Sequence, residues 1–103
     1  MEAKKAKAAR LKEQKKYSEA AELWRDLSER SEAFLEDVQE ELAIYYEHRK
    51  GDLEEALNLS ERALAHLQDK TAQKRWRHRR DRVAMKLARR KPADATMLFQ
   101  NQS

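Results

Sequence analysis

Residues 42–64 read LAIYYEHRKGDLEEALNLSERAL, and this stretch holds a complete helix, turn and helix. Leu35, Val38, Leu42 and Tyr45/Tyr46 recur at the three-and-four spacing of one helix face. That helix is expected to end near Lys50 and Gly51, where the only glycine of the chain suits a left-handed C-terminal cap. Asp52 then starts the next helix and, with Glu55 three residues later, forms a capping box in which each side chain satisfies a free backbone N–H. Leu53, Ala56, Leu57, Ala63, Leu64 and Leu67 carry its apolar face.

Upstream, Tyr17, Ala20, Trp24 and Leu27 repeat the same spacing, with Ser18 as the expected N-cap. The helix-prone segment Ala3 to Gln14 offers Ala8 and Leu11 on one side, so these two segments read as an antiparallel hairpin turning at Lys15 and Lys16. Downstream, Thr71 is expected to cap a fifth helix with Ala72, Trp76, Val83 and Leu87 in one stripe. Lys91 precedes Pro92, which predicts the end of that helix. The reading is therefore a helical domain over 1–91, with hairpins at about 3–31 and 35–68, a capping helix at about 71–91, and a flexible tail over 92–103.

Composition agrees with this pattern. The 103 residues are 41% charged and 40% hydrophobic, with one Gly, one Pro and no Cys. A sheet protein of this size needs more turn residues than Gly51 and Pro92 provide, whereas Ala, Glu, Lys, Arg, Leu and Gln all favour helices. Without cysteine there is no disulfide framework or thiolate metal site. The start MEAKKAKAARLKEQKK lacks the apolar core of a signal peptide and no run is long enough to span a bilayer, so a cytoplasmic chain without a membrane partner is expected.

The net charge of +4 conceals a strong polarity. Segments 1–16, 17–34, 35–69 and 70–103 carry +5, −3, −7 and +9, an acidic middle between basic ends.

A shift of 36 residues places Tyr17 on Leu53, Ala20 on Ala56 and Leu27 on Ala63, and a shift of 35 places Ala8 on Ala43. On these residues the chain resembles the tetratricopeptide repeat. YSEAAELWRDL (17–27) and LEEALNLSERAL (53–64) look like the second helices of two units, with the small residue at the helix crossing. Residues 42–64 followed by RHRRDRVAMKLARR (77–90) further resemble the C-terminal helical-repeat tail of bacterial proteins that carry a ribonuclease-H-like exonuclease domain. The resemblance covers about residues 3–91 and implies an all-α fold: two tetratricopeptide-like antiparallel hairpins plus a C-terminal capping helix, in a right-handed α-solenoid. These 103 residues leave no room for the exonuclease domain, so its catalytic acids are not carried over. Asp52-Leu53-Glu54 matches the Asp-x-Glu metal motif by letter, but it opens a helix and is read as a cap.

The resemblance implies a groove lined by the first helix of each unit. Matching positions are Glu2, Lys5, Ala9, Lys12 and Glu13, then Asp37, Glu40, Ile44, Glu47 and His48. The second set is acidic and predicts a basic protein or peptide partner. On the last helix, Arg75, Arg79, Arg82, Lys86, Arg89 and Arg90 fall within an arc of roughly 100°. This ridge is expected either to neutralise phosphates or to pair internally with Glu54, Glu55 and Glu61.

Trp24, Tyr45, Tyr46 and Trp76 are read as packing residues. His48, His66 and His78 fall on three different helices, and no glycine-rich phosphate loop occurs, so no catalytic, metal or cofactor residues are assigned and no enzyme activity is expected. The function expected is a non-catalytic interaction or scaffolding module. The alternative is a nucleic-acid-binding accessory tail of an exonuclease. Two repeats are few for a stacked array, so self-association or docking on a missing N-terminal domain is expected to complete the core.

Overall fold

A computed structural model describes the backbone of residues 2–102 and the side chains of residues 3–90. The chain forms α1 (Glu2–Glu13), α2 (Tyr17–Arg30), α3 (Glu36–Ile44), α4 (Leu53–His66) and α5 (Lys70–Gln102). Helix α3 runs on as a π-helical turn over Tyr45–Lys50. Consecutive helices pack on one another, α1 on α2, α2 on α3, α3 on α4 and α4 on α5. No strand occurs among the described residues.

The interior is built from small residues and a few large ones. Ala8, Ala20, Ala43, Ala56 and Ala63 have no solvent exposure at all, and between them sit Trp24, Leu27, Val38, Leu42, Leu53, Leu59, Trp76 and Val83. An alanine at a crossing lets two helix axes approach closely, which gives the large side chains facing helices to pack against. Leu59, absent from the apolar set expected for α4, is buried, whereas Leu57, Leu64 and Leu67 pack only partly.

Local signals set the turns. Lys15 adopts a left-handed conformation (φ 62°), its N–H donates to the Lys12 carbonyl (2.9 Å), and the Lys16 N–H donates to the Leu11 carbonyl (2.8 Å). These two bonds form a Schellman motif and start α2 directly after the turn. The Lys16 carbonyl already accepts from the Ala20 N–H, so Ser18 lies inside the helix and not at its N-cap as expected. Gly51, at φ 75°, closes the second turn as predicted. Asp52 Oδ1 accepts from the Glu55 N–H (3.1 Å), which realises half of the expected capping box. The Glu55 carboxylate is drawn away to Arg25 on α2.

The start of α5 is also corrected. Asp69, not Thr71, is the cap: its Oδ2 accepts from the Ala72 N–H (2.8 Å) and its carbonyl from the Gln73 N–H (2.9 Å). A carboxylate reaches the free N–H groups of the first turn as readily as a hydroxyl and adds a favourable charge. At the other end, α5 continues through Pro92 to Gln102 and does not stop at Lys91. A proline inside a helix forgoes the N–H bond to the preceding turn and crowds that turn's carbonyl, at a cost of about 3 kcal/mol. The side chains beyond Arg90, which belong to the tail expected over 92–103, lie outside the described residues.

Candidate functional site: the charged seam between the third and fifth helices

The acidic set on α3 and the basic ridge on α5 arise independently from the sequence, and the fold brings them face to face. At the centre is Glu47, whose side chain has no solvent exposure. Its two oxygens accept from Arg82 Nη2 (2.8 Å) and Nε (2.9 Å), a bidentate pair, and Oε2 also accepts from Lys86 Nζ (2.6 Å). His48 Nε2 stands 3.4 Å from the same carboxylate, with its ring half exposed. Glu47 lies on the π-helical turn, where it and Tyr46 are buried side by side. A widened turn alters the rotation between successive side chains, a distortion common at specialised positions in helices.

Glu47 is held down to a pKa of about 2 by the hydrogen bond from Arg82, against the opposing effect of burial and with further help from Lys86. The same bond raises Arg82 above its ordinary value. About two turns earlier, Glu40 Oε2 meets Arg79 Nη2 (3.2 Å) and Arg75 Nε (3.3 Å), and Arg75 Nη2 also bonds Glu36. Trp76, fully buried, donates from Nε1 to Glu36 Oε2 (3.0 Å), while the Arg79 guanidinium lies 4.7 Å from the Trp76 ring centroid. Arg79 Nε and Nη1 are buried without a hydrogen-bond partner, so this guanidinium relies on the ring and a single carboxylate contact.

The other flank of α3 is neutralised from α1. Asp37 accepts from Lys5 (3.1 Å), and Glu41 from Lys12 (3.0 and 2.9 Å). For Asp37, partial burial pushes the carboxyl up, but Lys5 and the Val38 N–H outweigh it and the net direction is down. An acidic helix thus lies between two basic ones. Of the groove set, Asp37, Glu40 and Glu47 are paired, Ile44 is half-buried, and Asp37 and His48 are exposed. Of the ridge set, Arg75, Arg79, Arg82 and Lys86 are paired, Arg90 donates to the Gly51 carbonyl (3.0 Å), and Arg89 has no carboxylate partner among the described residues.

Internal pairing therefore occurs, but not with the partners expected from α4. Glu54 and Glu61 lie on the side of α4 opposite Ala56 and Ala63 and are exposed. Glu55 instead accepts from Arg25 Nη2 (2.9 Å), whose Nε also donates to the Tyr46 hydroxyl (3.0 Å). This Arg25–Tyr46–Glu55 cluster raises the guanidinium above its ordinary value, chiefly through Glu55 and then Tyr46. Nothing in the local sequence signals it, because the three residues come from three elements.

Among the described residues no group of His, Asp and Glu is arranged to hold a metal ion, and no helix is long and apolar enough to cross a membrane. Comparison with protein families, curated proteins and solved structures finds no match to this chain.

Proposed function

We propose that the chain is a non-catalytic, tetratricopeptide-like interaction or scaffolding module of the cytoplasm, with α1–α2 and α3–α4 as its two hairpins and α5 as its capping helix. The observation that carries this reading is the burial of the repeat-equivalent alanines. Ala8 and Ala43, then Ala20 and Ala56, correspond at shifts of 35 and 36 residues, and all four have zero exposure. Equivalent small residues doing equivalent packing are what a stacked repeat requires. Such stacks serve as rigid surfaces for partner proteins, which here include a second copy of the chain or a domain preceding it.

The test is recovery of a tagged chain from its own cells at physiological salt, with and without nuclease. A protein partner in stoichiometric amount that survives nuclease supports the module. Recovery of nucleic acid alone overturns it in favour of the second reading, an accessory nucleic-acid-binding tail. One observation favours that alternative: Lys70, Lys74, Arg77 and Arg89 have no carboxylate partner among the described residues and lie on the side of α5 away from Trp76 and Val83. Phosphate contacts would come from this row, since most of the ridge is engaged with α3.

A further inference from the structure

The seam consumes the acids that a basic partner would need, and the cations left over gather elsewhere. Lys15 and Lys16 form the α1–α2 turn, and Arg49 and Lys50 end the π-helical turn, all four exposed and none paired with a carboxylate among the described residues. Three of them, Lys15, Lys16 and Arg49, line an open cleft of about 500 Å³ together with Tyr17 and Tyr45, with Glu19 the one acid in the lining. Lys50 borders the adjoining hollow with Ser18 and Tyr45.

Arg49 is held in place before any ligand arrives. Its guanidinium lies 4.0 Å from the centroid of the Tyr17 ring, and Nη2 donates to the Tyr17 hydroxyl (3.1 Å). Stacking fixes the plane of the fork and leaves other N–H groups directed to solvent, so little rotamer entropy is lost when an anion docks. A planar carboxylate is the natural partner of such a fork, and the half-buried Tyr17 and Tyr45 rings offer apolar surface beside it.

We propose that this cleft, at the end of the helices where the α1–α2 turn meets the π-helical turn, binds an acidic peptide segment of the partner protein. A side-chain carboxylate of the segment sits on Arg49, Lys15 and Lys16 flank it, and the aliphatic part lies against Tyr17 and Tyr45. The inference rests on the interaction-module reading and reverses the charge of the partner from basic to acidic. The arrangement favours peptide over nucleic acid because these cations ring one cleft a few residues wide. The free cations of α5, in contrast, run along a helix as a phosphate track would require.

The test is an amide-shift titration of the isotope-labelled full chain at low ionic strength with capped hexaglutamate. Capped hexaglutamine and a six-nucleotide oligothymidylate are the comparison probes. Saturable changes are expected within residues 15–19 and 45–50 with hexaglutamate and not with hexaglutamine. Arg49→Gln should weaken binding about fivefold, as removal of one oriented charge contact does, and Lys16→Gln, in the exposed turn, should act in the same direction. Arg89→Gln, with the same change in net charge, should leave binding unchanged. Absent binding, changes spread along α5, or equal weakening by Arg49→Gln and Arg89→Gln would overturn the proposal. Tighter binding of oligothymidylate in the cleft would reassign it to nucleic acid. Any of these failures leaves the module reading standing, since recovery of a partner from cells judges that separately.

Discussion

Along α1 to α4 the core contacts are made by alanines with no exposure and by Trp24, Leu27, Val38 and Leu42, with Gln39 and the Arg25–Glu55 pair as polar additions at its edge. Between α3 and α5 the same chain builds a seam of glutamates and arginines around one tryptophan, with Glu47 fully enclosed. The first region depends mainly on shape, with partly exposed ion pairs such as Lys4–Asp26 and Lys5–Asp37 at its margin, so salt and pH should touch it less than the second. The second depends on charges withdrawn from water, which hold only while every partner is present, so it should fail in a different way and under different conditions.

The largest expected effect comes from Trp76, where the two kinds of contact meet. Trp76→Ala removes a fully buried indole and the donor to Glu36, and should cost about 3–5 kcal/mol. Urea unfolding followed by far-ultraviolet circular dichroism measures it. A loss below about 1 kcal/mol would mean that α5 is not docked on the common core, and the comparison of two seams would collapse.

Acid separates the regions next. Glu47 titrates near 4.5 when unfolded and at about 2 when folded, so the unfolded chain takes up the proton first as pH falls. The stability contributed by this group is complete above pH 4.5 and is lost on the way down to pH 2, in total about 3 kcal/mol. Unfolding free energies measured across that window should fall, and Glu47→Gln should flatten the fall while lowering stability at neutral pH. An unchanged slope in the variant would show that other carboxylates dominate, Asp26 and Asp37 being candidates because their pairing partners also lower them.

The apolar region is probed by crowding it. Ala56→Leu puts three more carbons at a position with no exposed surface and should destabilise by about 1–3 kcal/mol, without altering the acid response. Ala9→Leu, on the exposed side of α1, is the control and should stay within about 0.5 kcal/mol. Equal effects at the two positions would remove the structural basis for calling Ala20 and Ala56 equivalent crossings.

The two regions also differ in how far they could be read in advance. Apolar spacing marked Val38, Leu42, Ala56, Trp76 and Val83 correctly, because burial of such residues depends on helix phase alone and phase is visible along one segment. Charge patterning groups the cations and acids on the right faces but does not supply their partners: the internal pairing expected with Glu54, Glu55 and Glu61 is made instead with Glu36, Glu40 and Glu47. Partner choice depends on which two helices lie side by side, a fact of the assembled fold that no local period encodes. The cleft at Arg49 was missed for the same reason, although Tyr45 and Arg49, four residues apart, carried part of its signal. At Asp69 and Thr71 the shortfall was local, since either residue type can cap and only the backbone decides where the helix starts.

The smallest effect concerns the turns at the ends of the two regions. Both Lys15 and Gly51 occupy the left-handed conformation, at φ 62° and 75°, but only glycine does so without a clash from its own β-carbon. Lys15→Gly should therefore stabilise by about 1 kcal/mol, and Gly51→Ala should destabilise by a similar amount. A β-carbon at Gly51 would come no closer than 3.9 Å to Arg90 Nη2, an ordinary contact, so the cost there is in the backbone and not in crowding. Because Arg90 also donates to the Gly51 carbonyl, Arg90→Gln should lower stability little by itself but deepen the loss caused by Gly51→Ala. Strict additivity of those two changes would mean that the charged seam ends before this turn, whereas coupling would extend it to the last residue of the ridge.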